Sequence, residues 1–286
     1  VYTWEIPADP SETVRVRISE IGNPGNYDIS DEDFTITGEC EPVFTLLWSY
    51  DCPGNGYVDS SIAGSPVIVD LDDDGTCEVL AYTSTTYTLH CFDHEGNLEW
   101  TPFECPTPVS SWYGAPAVGE FNGDGVLDIV VSNTDQSGPS PNRLYVINGA
   151  TGAEIFNITS ADIFESMPSL ADVVGQTASD PPDGQLDIIV GRNDNSSALY
   201  TACYNGLNGN LVWQAQREYY SMGTPALADM DDDGDIDVVA GSGLMNEGPA
   251  YRGIYVLQGD GIPTGNRTLW EADYGTHIWA PASLHD

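Results

Sequence analysis

The sequence predicts an all-β chain built as a β-propeller of four-stranded blades, with four complete repeats, the start of a fifth, and a short β segment in front. Three observations carry this. A proline-led apolar run enters an acid-and-glycine loop four times, at Pro66–Gly75, Pro116–Gly125, Pro168–Gly184 and Pro225–Gly234. The last loop acid of each copy (Glu78, Asp128, Asp187, Asp237) recurs at intervals of 50, 59 and 50 residues, the period of a four-stranded blade. The runs between turns are short and β-branched, with no amphipathic helical period.

Each copy reads the same way. Strand one is the Pro-led run. Strand two follows the loop, at Glu78–Tyr82, Asp128–Val131, Asp187–Val190 and Asp237–Ala240. Strand three is Tyr87–Phe92, Leu144–Ile147, Leu199–Tyr204 and Ile254–Leu257. A Gly/Asn turn follows, and strand four ends in Trp100, Phe156, Trp213 or Trp270. These runs are nearly continuous in apolar character, as sheets covered on both faces require. The expected blades are 44–104, 105–160, 161–217 and 218–274 within a region 40–286, and 275–286 opens a fifth unit at Trp279-Ala-Pro-Ala. In residues 1–39, Tyr2–Ile6, Thr13–Ser19 and Asp33–Thr37 read as strands separated by Pro/Gly turns. They resemble part of an immunoglobulin- or fibronectin-like module. The ragged ends have two readings: a piece of a longer secreted protein, or sheet edges completed by a neighbouring chain through strand addition.

The charge is extreme: 7 basic residues, all Arg, against 45 Asp and Glu, for a net −38. Such a chain lacks the cationic surface that nucleic acid requires, and anionic membranes repel it. No segment is long and apolar enough to insert in a bilayer. Bound divalent cations would relieve the self-repulsion; a solvated acidic surface is the other account, and the two coexist. The cysteines number 6 and include no CxxC pair, which argues against structural zinc. Disulfides are one expectation, with Cys40 and Cys52 closing a short loop and Cys77 facing Cys91 across consecutive strands; free buried thiols are the other. An oxidising, extracellular or cell-surface setting goes with the first.

The loops carry the chemistry. Asp70, Asp72, Asp74 and Glu78 stand at positions 1, 3, 5 and 9 of the first loop, and Asp229, Asp231, Asp233 and Asp237 repeat the spacing in the fourth. Alternate acids in a tight turn converge, and a glycine at position 6 lets the position-9 acid return. Carbonyls at position 7 (Thr76, Val126, Gln185, Asp235) add ligands. An all-oxygen cage of this charge suits Ca²⁺ better than Mg²⁺ or softer metals. The second loop is a weaker version (Glu120, Asn122, Asp124, Asp128). The third is distorted by an insertion and keeps Asp172, Asp183 and Asp187, with Asp180 a candidate for the missing position 3. Two strong sites and one or two weaker ones are expected. An EF-hand would need flanking helices and a Glu at position 12, and the chain has neither.

The pattern Pro-x-x-x-Asp-x-Asp-x-Asp-Gly-x-x-Asp-hydrophobic resembles the FG-GAP, integrin-α-like (VCBS-type) propeller repeat, over roughly Phe44 to Asp286. The resemblance implies a structural Ca²⁺ between the first two strands of a blade. It also implies about seven blades, more than the four complete here. Gly149-Ala-Thr-Gly152…Phe156 and Gly206–Trp213 also look like quinone-dehydrogenase propeller repeats.

No nucleophile elbow, HExxH, P-loop or dinucleotide fingerprint is present. His90, His94, His277 and His285 have no ligand spacing, and His90 and His94 read as surface residues. The chain therefore reads as non-catalytic. The expected role is cell-surface adhesion or a self-assembling fibre, ring or surface layer, as a homo-oligomer or filament. The alternative is a calcium-dependent polysaccharide-binding or polysaccharide-lyase propeller. Trp112, Tyr113, Tyr219, Tyr220 and Trp279 precede strand one of their repeats. Packing between blades accounts for them, or a rim that stacks on a glycan or anchors a surface protein.

Overall fold

The computed structural model describes residues 11–14, 17–20, 23–29, 34–36, 46–51, 65–83, 88–105, 115–133, 142–164, 166–193, 199–217, 223–241, 253–259 and 268–273. The chain forms two compact units, Val1–Leu47 and Trp48–Asp286. Among the described residues no helix is long and apolar enough to cross a membrane.

In the first unit Ser11–Val14 pairs with Phe34–Ile36 and Arg17–Glu20 pairs with Asn23–Ile29, both antiparallel. This differs from the expected strands. The run Thr13–Ser19 is divided between two sheets, and Asn23–Ile29 is a strand where Asn-Pro-Gly-Asn reads as a turn. The register explains the second difference: Ser19 faces Tyr27 but Glu20 faces Asn23, so Pro24, Gly25 and Asn26 are spent on an irregularity inside the pairing. Tyr2–Ile6 lies outside the described residues.

The second unit is all-β. Its four antiparallel sheets each follow chain order. They are Val67–Val69, Glu78–Thr83, Thr88–Phe92 and Phe103–Glu104; then Ala117–Gly119, Asp128–Asn133, Asn142–Ile147 and Glu154–Ser160; then Ser169–Ala171, Asp187–Asn193, Leu199–Asn205 and Leu211–Arg217; and last Ala226–Ala228, Asp237–Gly241, Gly253–Leu257 and Thr268–Asp273. The third sheet gains a two-residue strand, Ile163–Phe164, against Arg192 and Asn193. Between it and Ser169–Ala171 the Gly191 N–H donates to Ser166 Oγ at 2.7 Å, which keeps the ladder satisfied across the break.

The core lies between consecutive sheets, as three clusters. Leu80, Leu89 and Cys91 of the first sheet meet Ile129, Tyr145 and Ile147 of the second. Val130, Leu144 and Val146 meet Ile188, Val190 and Ala202. Ile189, Cys203 and Trp213 meet Val238, Tyr255 and Leu257. Adjacent residues on one strand thus serve opposite neighbours, which is why the strands are apolar throughout rather than alternating. The middle residue of strand one belongs to the contact with the preceding sheet: Val118, Leu170 and Leu227 each pack into such a cluster. Ile68, in the same place on the first sheet, is 70% exposed.

The aromatic of strand four is not at the strand's end, as expected, but early. Phe156, Trp213 and Trp270 are third in their strands and pair with Val146, Cys203 and Val256, each beside a register shift. Trp100 precedes its short strand. Trp48 sits on Phe92 (ring centroids 5.4 Å) and Tyr50 on the same ring at 4.8 Å. Trp48 also closes over Gly96, as Trp100 closes over Gly152 one sheet later. Residues 48 and 50 therefore cover the first sheet much as a preceding fourth strand would.

Candidate metal centre

The four loops share one hydrogen-bond skeleton. The position-1 acid accepts backbone N–H groups from the far side of its loop: Asp70 from Asp74 and Gly75, Glu120 from Gly123 and Gly125, Asp229 from Asp232, Asp233 and Gly234. In the third loop the insertion loops out, and Asp172 accepts from Asp183 (3.1 Å) and Gly184 (2.7 Å). The position-5 acid accepts the position-7 N–H in all four, as Thr76→Asp74, Val126→Asp124, Gln185→Asp183 and Asp235→Asp233. The position-9 acid, first residue of strand two, accepts the position-2 N–H: Leu71→Glu78 at 2.8 Å, Phe121→Asp128 at 3.0 Å, Val173→Asp187 at 3.1 Å and Met230→Asp237 at 3.0 Å. Position 6 is a glycine with positive φ in every loop: Gly75, Gly125, Gly184 and Gly234. In the first and fourth loops position 4 is left-handed as well, at Asp73 and Asp232, residues that tolerate it better than most.

This skeleton holds the position-9 carboxylates under cover. Glu78, Asp128, Asp187 and Asp237 are buried while the other loop acids are half-buried or exposed. Burial raises their affinity for protons, against the N–H groups that favour the charged form: Asp128 and Asp237 are pushed up to about 6, Asp187 to about 7, and Glu78 is raised. At the rim Asp74 is held below the ordinary value by the Thr76 hydroxyl and N–H, and Asp124 by the Val126 N–H and the Asn148 amide.

Two loops bring three carboxylates together. Asp70, Asp72 and Glu78 each offer an oxygen within 4.8 Å of the others, and so do Asp229, Asp231 and Asp237. Carboxylates this close repel one another unless a cation lies among them, and all-oxygen donors of which one is buried and fixed suit a hard ion. These two clusters fit a metal ion. Asp74, Asp233 and the position-7 residues Thr76 and Asp235 flank them on the same loops. In the third loop Asp187 Oδ1 is buried without a partner, while the Gln176 amide donates to Asp183 at 2.8 Å. Asp180 accepts from Thr177 N–H within the insertion. The second loop brings Glu120, Asn122, Asp124 and Asp128 around side-chain amides instead.

The remaining expected sites fare differently. Cys77 and Cys91 are not paired: both are free, Cys77 exposed and Cys91 buried. The register places Leu80, not Cys77, across from Cys91. Burial pushes the Cys91 thiol up to about 12. Cys105 and Cys203 are buried thiols outside any disulfide, and Cys40 and Cys52 lie outside the described residues. His90 is not a surface residue. It is buried beside Tyr50 and Phe92, and burial lowers its proton affinity. Trp112, Tyr113, Tyr219, Tyr220 and Trp279 lie outside the described residues. The sequence reading missed the amides Asn148, which reaches the second loop from the turn after strand three, and Gln176, which lies in the insertion of the third loop.

Repeated four-stranded antiparallel sheets, packed face to face and each carrying an acidic loop between its first two strands, define a repeat protein of the β-propeller class. Residues 70–131, from the first loop to the second strand of the second sheet, match the FG-GAP-like repeat. No curated protein matches the chain. Among solved structures, the V. cholerae biofilm matrix protein Bap1 is 17% identical, with 80% of this chain and 42% of that one covered and a TM-score of 0.43. BamB from Moraxella catarrhalis is 13% identical, over 96% and 70%, with a TM-score of 0.48. The Pseudomonas aeruginosa PilY1 C-terminal domain is 16% identical, over 77% and 52%, with a TM-score of 0.49. This chain thus spans about half the length of the first and third. With every TM-score under 0.5, the fold rests on the sheets themselves.

Proposed function

We propose that the protein is a non-catalytic, calcium-stabilised β-propeller segment of the cell exterior, serving adhesion or assembly through strand completion by neighbouring copies. One observation carries the metal part: the same loop skeleton recurs in phase with the sheets, and in the first and fourth copies it converges three carboxylates on one point. Ca²⁺ there ties strand one to strand two and offsets acid repulsion. Its binding free energy is then part of the folding free energy, about 2.7 kcal/mol per site at a hundredfold excess over Kd. The role is structural because the acids with defined geometry are engaged by the loop skeleton. The exposed Ile68 supports association of the first sheet with further β structure.

Thermal melts with EDTA and with Ca²⁺ test the metal role, and light scattering across concentration tests assembly. Calcium should raise Tm by many degrees, and mass should grow with concentration. A melt indifferent to Ca²⁺ removes the first part of the reading; a strict monomer removes the second.

A further inference from the structure

The second loop is closed by amides where the first and fourth are open to a cation. Asn122 stands at position 3, where the first and fourth loops have Asp72 and Asp231. Its Oδ1 accepts the Asp124 N–H at 2.8 Å, so its Nδ2 must point the other way, and it donates to Asp128 Oδ1 at 3.3 Å. Asn148, in the turn after strand three, donates from Nδ2 to Asp124 Oδ2 at 2.6 Å. Its orientation is fixed too, because its Oδ1 accepts the Thr151 hydroxyl at 2.7 Å. Glu120 and Asp124 then have both oxygens occupied, Glu120 by Asn122, Gly123 and Gly125 N–H and Asp124 by Val126 N–H and Asn148. Asp128 likewise accepts on both oxygens, from Phe121 N–H on one and from Asn122 and Gly149 on the other. Two side-chain amide N–H groups thus donate to the loop acids, at Asp128 and Asp124, and an amide nitrogen carrying hydrogens is no ligand.

The first repeat cannot close this way. Its counterpart of Asn148 is Asp93, which has no hydrogen to donate and instead accepts from Glu95 and Asn97. The second loop therefore differs from the first at two residues, one at position 3 and one in the turn after strand three, and from the fourth at position 3, since Gln258 stands in that turn of the fourth repeat.

We propose that the second loop is an ion-independent copy, locked by Asn122 and Asn148, and that the bound ions belong to other loops. Rigidity there comes from hydrogen bonds that neutral amides and backbone N–H groups donate to the loop acids, so this blade stays ordered when Ca²⁺ is withdrawn. The inference rests on the calcium reading above, and the test separates the two.

Bound calcium is counted per folded chain by atomic emission after exhaustive dialysis, with circular dichroism as the control for folding. Wild type is compared with Glu120→Gln/Asp124→Asn in the second loop, Asp231→Asn/Asp233→Asn in the fourth, and Asn122→Asp. The second-loop pair should leave the count unchanged, and the fourth-loop pair should lower it by one. Asn122→Asp, which places a fourth acid in the loop beside Glu120, Asp124 and Asp128 and removes one amide, should raise it by one. If the second-loop pair lowers the count by one, the proposal is overturned while the calcium reading stands. If Asn122→Asp folds and binds no additional ion, the amide lock is not what excludes the metal and the proposal is likewise overturned. Wild type without any bound calcium removes the calcium reading itself.

Discussion

The indole of Trp100, before the last strand of the first sheet, covers Gly152 of the second so closely that a Cβ on Gly152 would stand 2.4 Å from the ring. Its Nε1 donates to the Gly149 carbonyl at 2.9 Å. One side chain thus supplies packing and a buried hydrogen bond across the boundary between sheets. The same contact recurs between Trp48 and Gly96, where the distance would be 2.6 Å. Sheet-to-sheet order in this chain is carried by an aromatic on a glycine turn as much as by the aliphatic clusters.

Gly152→Ala should therefore be among the most damaging single-methyl changes in the protein. Gly152 has φ of 68°, which costs an L-residue about 1–2 kcal/mol, and displacing the indole adds about 1–3 kcal/mol. Gly75→Ala makes the comparison. Gly75 also has positive φ, but a Cβ there meets nothing within 4 Å, so only the backbone term of about 1–2 kcal/mol applies. Urea midpoints measured in EDTA check this, and equal losses for the two variants would contradict the packing argument.

Removing a position-9 acid should cost stability with or without calcium. Asp128→Ala strands the N–H groups of Phe121 and Gly149 in a buried place, about 1–3 kcal/mol for each group left unsatisfied. Asp72→Asn is the opposite case: Asp72 is exposed, and the hydrogen bond it accepts from Asp74 N–H at 3.3 Å survives the change. That variant should be near neutral in EDTA and lose part of the calcium-induced rise in Tm.

Cysteine chemistry offers a check that needs no mutation. Native protein treated briefly with iodoacetamide and read by peptide mass spectrometry should carry the label at Cys77, which is exposed. Cys91 and Cys105 should be labelled only after denaturation, since they are buried and their thiols are pushed up to about 12 and about 11. A Cys77–Cys91 crosslinked peptide would overturn the strand register given above.

Much of this architecture was legible because the repeat is local. The Pro-led run, the loop and the first acid of strand two lie within a few residues of each other, so spacing alone marks strand one, strand two and the turn between them. What spacing cannot show is contact made by distant segments. Asn148 is 24 residues from Asp124 in the chain, and nothing in the turn Asn148–Gly152 marks its amide as the partner of a loop acid. Trp48 lies ahead of the Pro-led run of the first repeat and outside its strands, so its place over Gly96 emerges only when the sheets are packed. The strand Asn23–Ile29 was hidden for the converse reason: its Pro-Gly-Asn carries turn chemistry that the fold uses inside a ladder. The Cys77–Cys91 expectation failed by register, since consecutive strands pair through Leu80 and Cys91 and leave Cys77 in the loop.

The buried acids give the ion-free protein a pH dependence of definite sign. Asp128 and Asp187 have folded values of about 6 and about 7 against an ordinary 3.8, so the folded state holds protons that the unfolded chain has already released. Stability must then fall as pH rises from about 4 to about 7 and level off above it. The net charge of −38 acts in the same direction. In EDTA, Tm should be several degrees higher at pH 5 than at pH 8. Asp187→Asn should flatten part of that slope, since its amide oxygen can still accept the Val173 and Val174 N–H groups while no charge has to be buried. Calcium should reverse the trend where it binds, because the ion needs the carboxylates deprotonated, so the rise in Tm on adding Ca²⁺ should be larger at pH 8 than at pH 5. A flat or rising EDTA profile between those values would mean the position-9 acids are solvated in solution, and the skeleton that buries them would have to be abandoned.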